Sequence, residues 1–349
     1  MDFSIQLSAY YPDKSYGGDR IYADMLEQAV LADRLGFESV SLTEHHLINI
    51  LMMPAPLQFA VKIAGATQQL NILTAVAVLP LHDMRIYAGE LVCADIFTEG
   101  RLMLGIGRGA YAFEMERMGV PLETTREKFD ESIDVLRALL TEEEVSWAGE
   151  YYNFPPLTIM PRPVRPGGPP LMMAVMAPPG IEACVKRGFH IQTTPLSGDA
   201  SAMRAQVDAY RRGCDARDDG GKELTLSMSR VAFLANSRAD VTRAVMQADD
   251  YYARFDNLFT GPGLVDAGMT RPIARTQTAD ELAESLLIAT PQEMIDQLAV
   301  YAEAGVDRMI LNINFGMGQE AQLACIQQFA EEVMPHFAPQ TPAQLEAAE

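Results

Sequence analysis

Short, continuously hydrophobic runs alternate with longer amphipathic stretches along almost the whole chain, and this alternation restricts the folds open to it. "FSIQLSA", "SVSLTE", "NILTAVAVLP" and "RLMLGIG" read as strands, and "IYADMLEQAVLADRLG", "APLQFAVKIAGAT" and "RIYAGELVCADIFTEG" between them carry apolar residues at helical spacing. Gly36 suits a C-cap, and Thr124 or Thr125 offers an N-cap for "TTREKFDESIDVLRALL". A proline-rich insert around 151–170 interrupts the pattern, which resumes with "LMMAVMA", "HIQTTPL", "LTLSMSRVAFLA" and "VDRMILNINFG" as further strands. Strands that are hydrophobic throughout, rather than alternately, are parallel strands covered on both faces by their crossover helices. About eight such βα units can be counted, which favours an α/β fold closed as a TIM-type (β/α)8 barrel over an open sheet.

One barrel domain spanning 1–349 accounts for the length, with insertions at about 145–170 and 256–289. The second, "DNLFTGPGLVDAGMTRPIARTQTADELAESLLIA", has three glycines, two prolines and weak periodicity, and is expected to be an irregular, mobile lid over the barrel mouth.

Charge narrows the partners. With 47 acidic against 27 basic residues the net charge is −20, which repels nucleic acid and anionic lipid surfaces. No apolar run reaches the 18 or more residues that span a bilayer. The opening "MDFSIQLSAYYPD" lacks the basic and apolar regions of a signal peptide, and the four cysteines are scattered without CxxC spacing. The expectation is a cytoplasmic protein with free thiols and no zinc.

In such barrels chemistry belongs to the C-terminal ends of the strands. "TEHH" ends the second strand, and two of the chain's five histidines stand there, His45 and His46. Neighbouring side chains on an extended chain point apart, which argues against a shared metal and leaves a base or a packing role open. "GIGRGAY" ends the fourth strand, with glycines that let a backbone approach a flat ligand and an arginine whose fork suits a phosphate. It is not a dinucleotide fingerprint, because it lacks the GxxG spacing and comes late in the chain. Met52 and Met53 follow "TEHHLINI" in a loop where adaptable apolar side chains suit an apolar substrate.

Taken in order, "TEHHLI", "NILTAVAVLP", "EGRLMLGIGRGAY", "TTREKF", "ATPQEMIDQL" and "VMPHF" resemble the bacterial luciferase-like flavin monooxygenases, with the α-subunit type as the nearest likeness, over essentially the whole chain. The resemblance implies a cytoplasmic enzyme, usually a homodimer packed through its early helices, that takes reduced FMN from a separate NAD(P)H:flavin reductase and uses O2 as co-substrate. It implies that His45 is the catalytic histidine, with Glu44 its flavin-side neighbour. Ala75 and Val76 correspond to residues against the isoalloxazine, Arg108 and Arg126 to arginines that hold the flavin phosphate, and Tyr111 to a tyrosine nearby. Gly107 stands where luciferase has a reactive cysteine. The chain departs from the pattern at Met176, Ala177 and Gly180, where the family places acidic or hydroxyl side chains for the phosphate. The backbone N–H groups of Gly180 and Ile181, at a helix start, offer a replacement.

The implied function is a two-component monooxygenase that oxygenates a small apolar organic substrate through a C4a-(hydro)peroxyflavin, by Baeyer-Villiger insertion or hydroxylation. Two alternatives remain open at this stage: an oxidoreductase using the deazaflavin F420, and a non-catalytic flavin-binding protein.

Overall fold

All eight of the hydrophobic runs become strands, and the strands close on themselves. The computed structural model describes residues 1–10, 13–196 and 200–338. In chain order the strands are β1 (Asp2–Gln6), β2 (Ser39–Leu42), β3 (Asn71–Thr74), β4 (Ala77–Val78), β5 (Leu102–Gly107), β6 (Val145–Ala148), β7 (Asn153–Leu157), β8 (Leu171–Ala174), β9 (His190–Thr193), β10 (Leu226–Leu234), β11 (Val265–Asp266), β12 (Met269–Thr270), β13 (Leu287–Ala289) and β14 (Arg308–Asn312). Parallel pairing runs β1–β2–β3–β5–β8–β9–β10–β14 and returns from β14 to β1, an eight-stranded barrel with helices outside. Every residue of β2 and β14 is buried, as strands covered on both faces must be. β4 continues the line of β3 after a break at Ala75 and Val76, and β13 lies outside the barrel against the end of β10.

The first helix, Gly18–Leu35, buries Ile21, Met25, Gln28, Ala29 and Ala32 on one stripe and ends at Gly36, whose φ of 83° admits the left-handed cap. The cap expected from Thr124 or Thr125 is not made. A short turn, Leu122–Thr124, runs straight into the helix Thr125–Thr141, so the two hydroxyls turn back to the carbonyls of Pro121 and Leu122. The proline-rich insert begins as an antiparallel hairpin, β6 with β7, held to that helix by the Glu131 carboxylate, which accepts from the Trp147 indole and three backbone N–H groups.

The segment 256–289 contains regular elements where an irregular stretch was expected. Its first residues complete the helix Arg238–Phe259, its middle forms the β11–β12 hairpin, and a helix Ala279–Ser285 precedes β13. Its order comes from side chains rather than periodicity. Fully buried Asn257 bonds the backbone of Leu264 and Arg271, Arg275 pairs with Asp249 and Asp256, and Thr278 with Glu281 forms a capping box. The hairpin is pinned to the loop after His45, where the Thr270 N–H donates to Asn49 at 2.8 Å.

Two glycines of "GIGRGAY" are required by packing between strands. A Cβ on Gly105 would lie 2.0 Å from the Thr74 carbonyl oxygen, and one on Gly107 would lie 2.5 Å from Val76 Cγ2. The closeness they permit is therefore to β3 and the residues after it. Gly105→Ala is expected to cost about 1 to 3 kcal/mol, since buried backbone must move to accept the methyl. Chemical denaturation of the variant checks this, and an unchanged midpoint would refute it. Among the described residues no helix is long and apolar enough to cross a membrane.

Candidate active site

The chain divides its bonds where β2 ends. The Glu44 N–H donates to Val76 O at 3.1 Å, toward β3, whereas His45 pairs backbone to backbone with Met53 of its own loop. The side chains consequently diverge. Glu44, only 2% exposed, accepts from the Val78 N–H at 2.7 Å through one oxygen. Its other oxygen accepts from His46 Nε2 at 2.9 Å and His82 Nε2 at 2.8 Å. His45 instead places Nδ1 2.8 Å from Glu114 Oε2, and the second oxygen of Glu114 accepts the His46 backbone N–H. The His45 ring lies flat on Tyr111, with centroids 4.5 Å apart and planes 17° from parallel. Tyr111 in turn meets Phe255 and Phe259 edge-on.

The electrostatics follow from these contacts. Burial works against an ionised Glu44, but the hydrogen bonds from His46 and His82, the charge of His82 and the Val78 N–H outweigh it and hold the carboxyl down at about 2. The hydrogen bond to Glu44 raises His46 above its ordinary value against the opposing effect of burial, with the charges of Glu44 and Glu114 adding to the rise. Burial, then Tyr251 and Glu114, push the Tyr111 phenol well above its usual range, so it stays neutral. Because Glu114 can only accept, Nδ1 of a neutral His45 carries the proton and Nε2 is left as the basic atom.

Glu114 and His82 are absent from the sequence reading. Both lie just beyond strand ends on the barrel's C-terminal side, so the rule that singled out "TEHH" also reaches them. His46, for which a base or a packing role was left open, faces the same cavity as His45.

A second group gathers at the ends of β5 and β8. Arg108 leaves β5 and donates to Thr125 Oγ1 at 3.4 Å, which lays it on the N-terminus of the helix Thr125–Thr141, and exposed Arg126 stands on that helix's first turn. Among the described residues neither arginine belongs to an ion pair, in a chain rich in carboxylates. The helix Pro178–Lys186 starts after β8 with two prolines that have no N–H. The Ile181 N–H is already given to Ala177 O at 3.0 Å, so of the two amides expected to be available only Gly180 remains. Met176 and Ala177 are exposed and bring no polar side-chain atom. Ala75 and Val76 are joined by a cis peptide between β3 and β4, and Gly107 serves to admit Val76.

Two cavities flank this array. One of about 720 Å³ is lined by His45, His46, the loop that follows, Phe113 and the β11–β12 hairpin, and Met52 reaches it while Met53 is buried. Another of about 380 Å³ opens over Gln6, Ser229 and Asn312 at the strand ends, walled by Tyr251, Phe255 and Phe259. Tyr111 links them, since it stacks on His45 of the first and touches Phe255 and Phe259 of the second.

Comparison with known proteins gives the family and the fold. The family described as luciferase-like monooxygenase matches residues 1–308. The oxygenase component of a flavin-dependent trigonelline monooxygenase from Acinetobacter baylyi is 28% identical over 328 residues, covering 91% of this chain and 90% of that protein. Among solved structures, the monooxygenase RslO1 from Streptomyces bottropensis superposes with a TM-score of 0.83 at 23% identity, covering 97% of this chain and 100% of the other. An F420-dependent secondary alcohol dehydrogenase superposes with a TM-score of 0.75 at 20% identity, over 97% and 99% of the two chains.

Proposed function

The chain belongs to the luciferase-like monooxygenase family, and from that premise we propose that this oxidoreductase is the oxygenase of a two-component system. In this reading it takes reduced FMN from a separate NAD(P)H:flavin reductase and uses O2 to oxygenate a small, largely apolar organic molecule. The observation that carries the reading is the His45–Glu114 pair at a cavity wall, a base held in one tautomer where a substrate can reach it.

The residues present fit a flavin phosphate. Two arginines without carboxylate partners meet a helix N-terminus, and the Gly180 amide opens a second helix on the neighbouring strand. Arg108, Arg126 and Gly180 would hold the phosphate, with Ala75 and Val76 beside the ring system. Bound reduced FMN would supply the electrons that activate O2. His45 Nε2 takes or returns the proton that both carbonyl insertion and hydroxylation require, Glu114 keeps the ring in that tautomer, and Tyr111 with Phe255 and Phe259 keeps water from its face. Ile86, 64% exposed, and Phe97, 62% exposed, on the early helix Met84–Phe97 support a homodimer packed there.

Arg108→Ala is expected to weaken FMN binding roughly ten- to a hundredfold, the usual worth of a charge-assisted contact, and Arg126→Ala less. Fluorescence titration checks this, and unchanged affinity would place the phosphate elsewhere. The function itself is tested by mixing anaerobic protein and reduced FMN with oxygenated buffer. Reoxidation slower than that of free flavin, and ¹⁸O from ¹⁸O2 in the product of a ketone, aldehyde or terpenoid panel, are the expected results. Free-flavin reoxidation together with tight binding of F420 would favour the second reading, an F420-dependent oxidoreductase. That reading draws support from the missing hydroxyls at Met176 and Ala177.

A further inference from the structure

The cavity beside His45 has an uneven lining. Met52, Phe113 and Met269 give it an apolar body, Lys14 and Arg117 stand at its edge, and among the described residues no aspartate or glutamate lines it. In a chain with 47 acidic and 27 basic residues, a wall with two cations and no carboxylate is the reverse of the average surface. Glu44 and Glu114, the carboxylates bonded to the histidines of this wall, are buried and spent on those rings and on backbone N–H groups, and Asp266 of the hairpin is paired with Arg271.

Arg117 is also fixed in place. Its guanidinium lies 3.7 Å over the Phe113 ring centroid, and Nη1 donates to Phe113 O at 3.1 Å. Stacking and one hydrogen bond remove much of the rotamer freedom that would otherwise be lost on binding, and four of the five N–H donors are not used by that bond. Among the described residues it takes part in no ion pair. Lys14 is tethered close by, donating to Ala267 O of the hairpin turn at 2.5 Å.

We propose that this cavity receives a substrate with an apolar body and a carboxylate, the body lying between Met52 and Met269 and the carboxylate meeting the Arg117 fork at the edge. The assignment rests on the oxygenase reading above and adds to it the class of molecule presented to His45. An arginine fork matches a carboxylate in two parallel hydrogen bonds, which a neutral amide of the same shape cannot reproduce.

The experiment is calorimetric titration of the flavin-free protein with 4-phenylbutyrate and with its amide. The expected result is that the acid binds about tenfold more tightly than the amide, a difference of about 1.4 kcal/mol. Arg117→Gln should bring the two together, and Met52→Trp, which fills the apolar end, should weaken both. Arg117 is exposed, so the Gln variant should keep the melting temperature of the parent. Equal binding of acid and amide, no binding of either, or a preference that survives Arg117→Gln would each overturn the proposal. The titration uses neither flavin nor oxygen, so its failure leaves the oxygenase reading standing, and failure of that reading appears separately in the reoxidation assay.

Discussion

His45→Ala lowers product formation by roughly 10² to 10⁴ while reduced FMN still binds, the usual loss when a positioned general acid or base is removed. The ring qualifies on geometry before chemistry: it faces a cavity, lies on Tyr111, and has Nδ1 held by Glu114 at 2.8 Å. With Nδ1 held by Glu114, the ring presents Nε2 toward the cavity side as the atom that can accept and return a proton. Glu114 acts through the histidine and is a positioning residue. Glu114→Gln replaces an acceptor by an amide that can turn a donor toward Nδ1, which would leave the proton on Nε2 and the wrong atom free. It should therefore lose much of the rate and alter the pH profile of kcat with KM little changed. Both variants are measured between pH 6 and 9 with the substrate that the oxygenation assay identifies. Full turnover by a folded His45→Ala protein would remove the histidine from the mechanism.

The barrel could be read from the sequence because burial on both faces writes itself as uninterrupted hydrophobic runs, and the count of about eight favoured closure over an open sheet. The 256–289 segment could not, because its order rests on contacts that periodicity does not encode: Asn257 fastening two turns, Arg275 between two aspartates, Asn49 receiving Thr270 from far along the chain. The site divides in the same way. His45 was within reach because it ends a strand and resembles a family position. Glu114 follows the end of β5, so its position was within the same rule, but its pairing with His45, 69 residues away in the chain, was not. The glycines at 105 and 107 were noticed for a sound reason, close backbone approach, but the sequence could not say that the approaching partner is Thr74 and Val76. Where a residue's role depends on its own strand it was legible, and where it depends on a neighbour brought in by the barrel it was not.

Glu44→Ala should remove about 3 to 5 kcal/mol of folding stability, the usual cost of taking one partner from a buried charged cluster. The loss is large because buried Glu44 is the common acceptor for His46, His82 and the Val78 N–H, and alanine leaves all three without that bond. The wild-type contribution is pH-dependent, and its sign is set by the two shifts. Glu44 falls from an ordinary 4.5 to about 2 on folding, so its stabilisation is complete above pH 4.5 and is lost as pH falls toward 2. That displacement corresponds to about 3 kcal/mol at 1.36 kcal/mol per unit. His46 moves the other way, up from 6.5, so its share is complete below pH 6.5 and disappears as pH rises past the elevated value. Both contributions are in force only between about pH 4.5 and 6.5. Urea denaturation at pH 3, 5.5 and 8.5 should show the gap between wild type and Glu44→Gln widest at 5.5 and narrower at both ends, with His46→Gln removing the narrowing on the alkaline side. A gap that stays constant across the three pH values would mean that the cluster holds together without its charges, and that Glu44 contributes shape rather than ionisation.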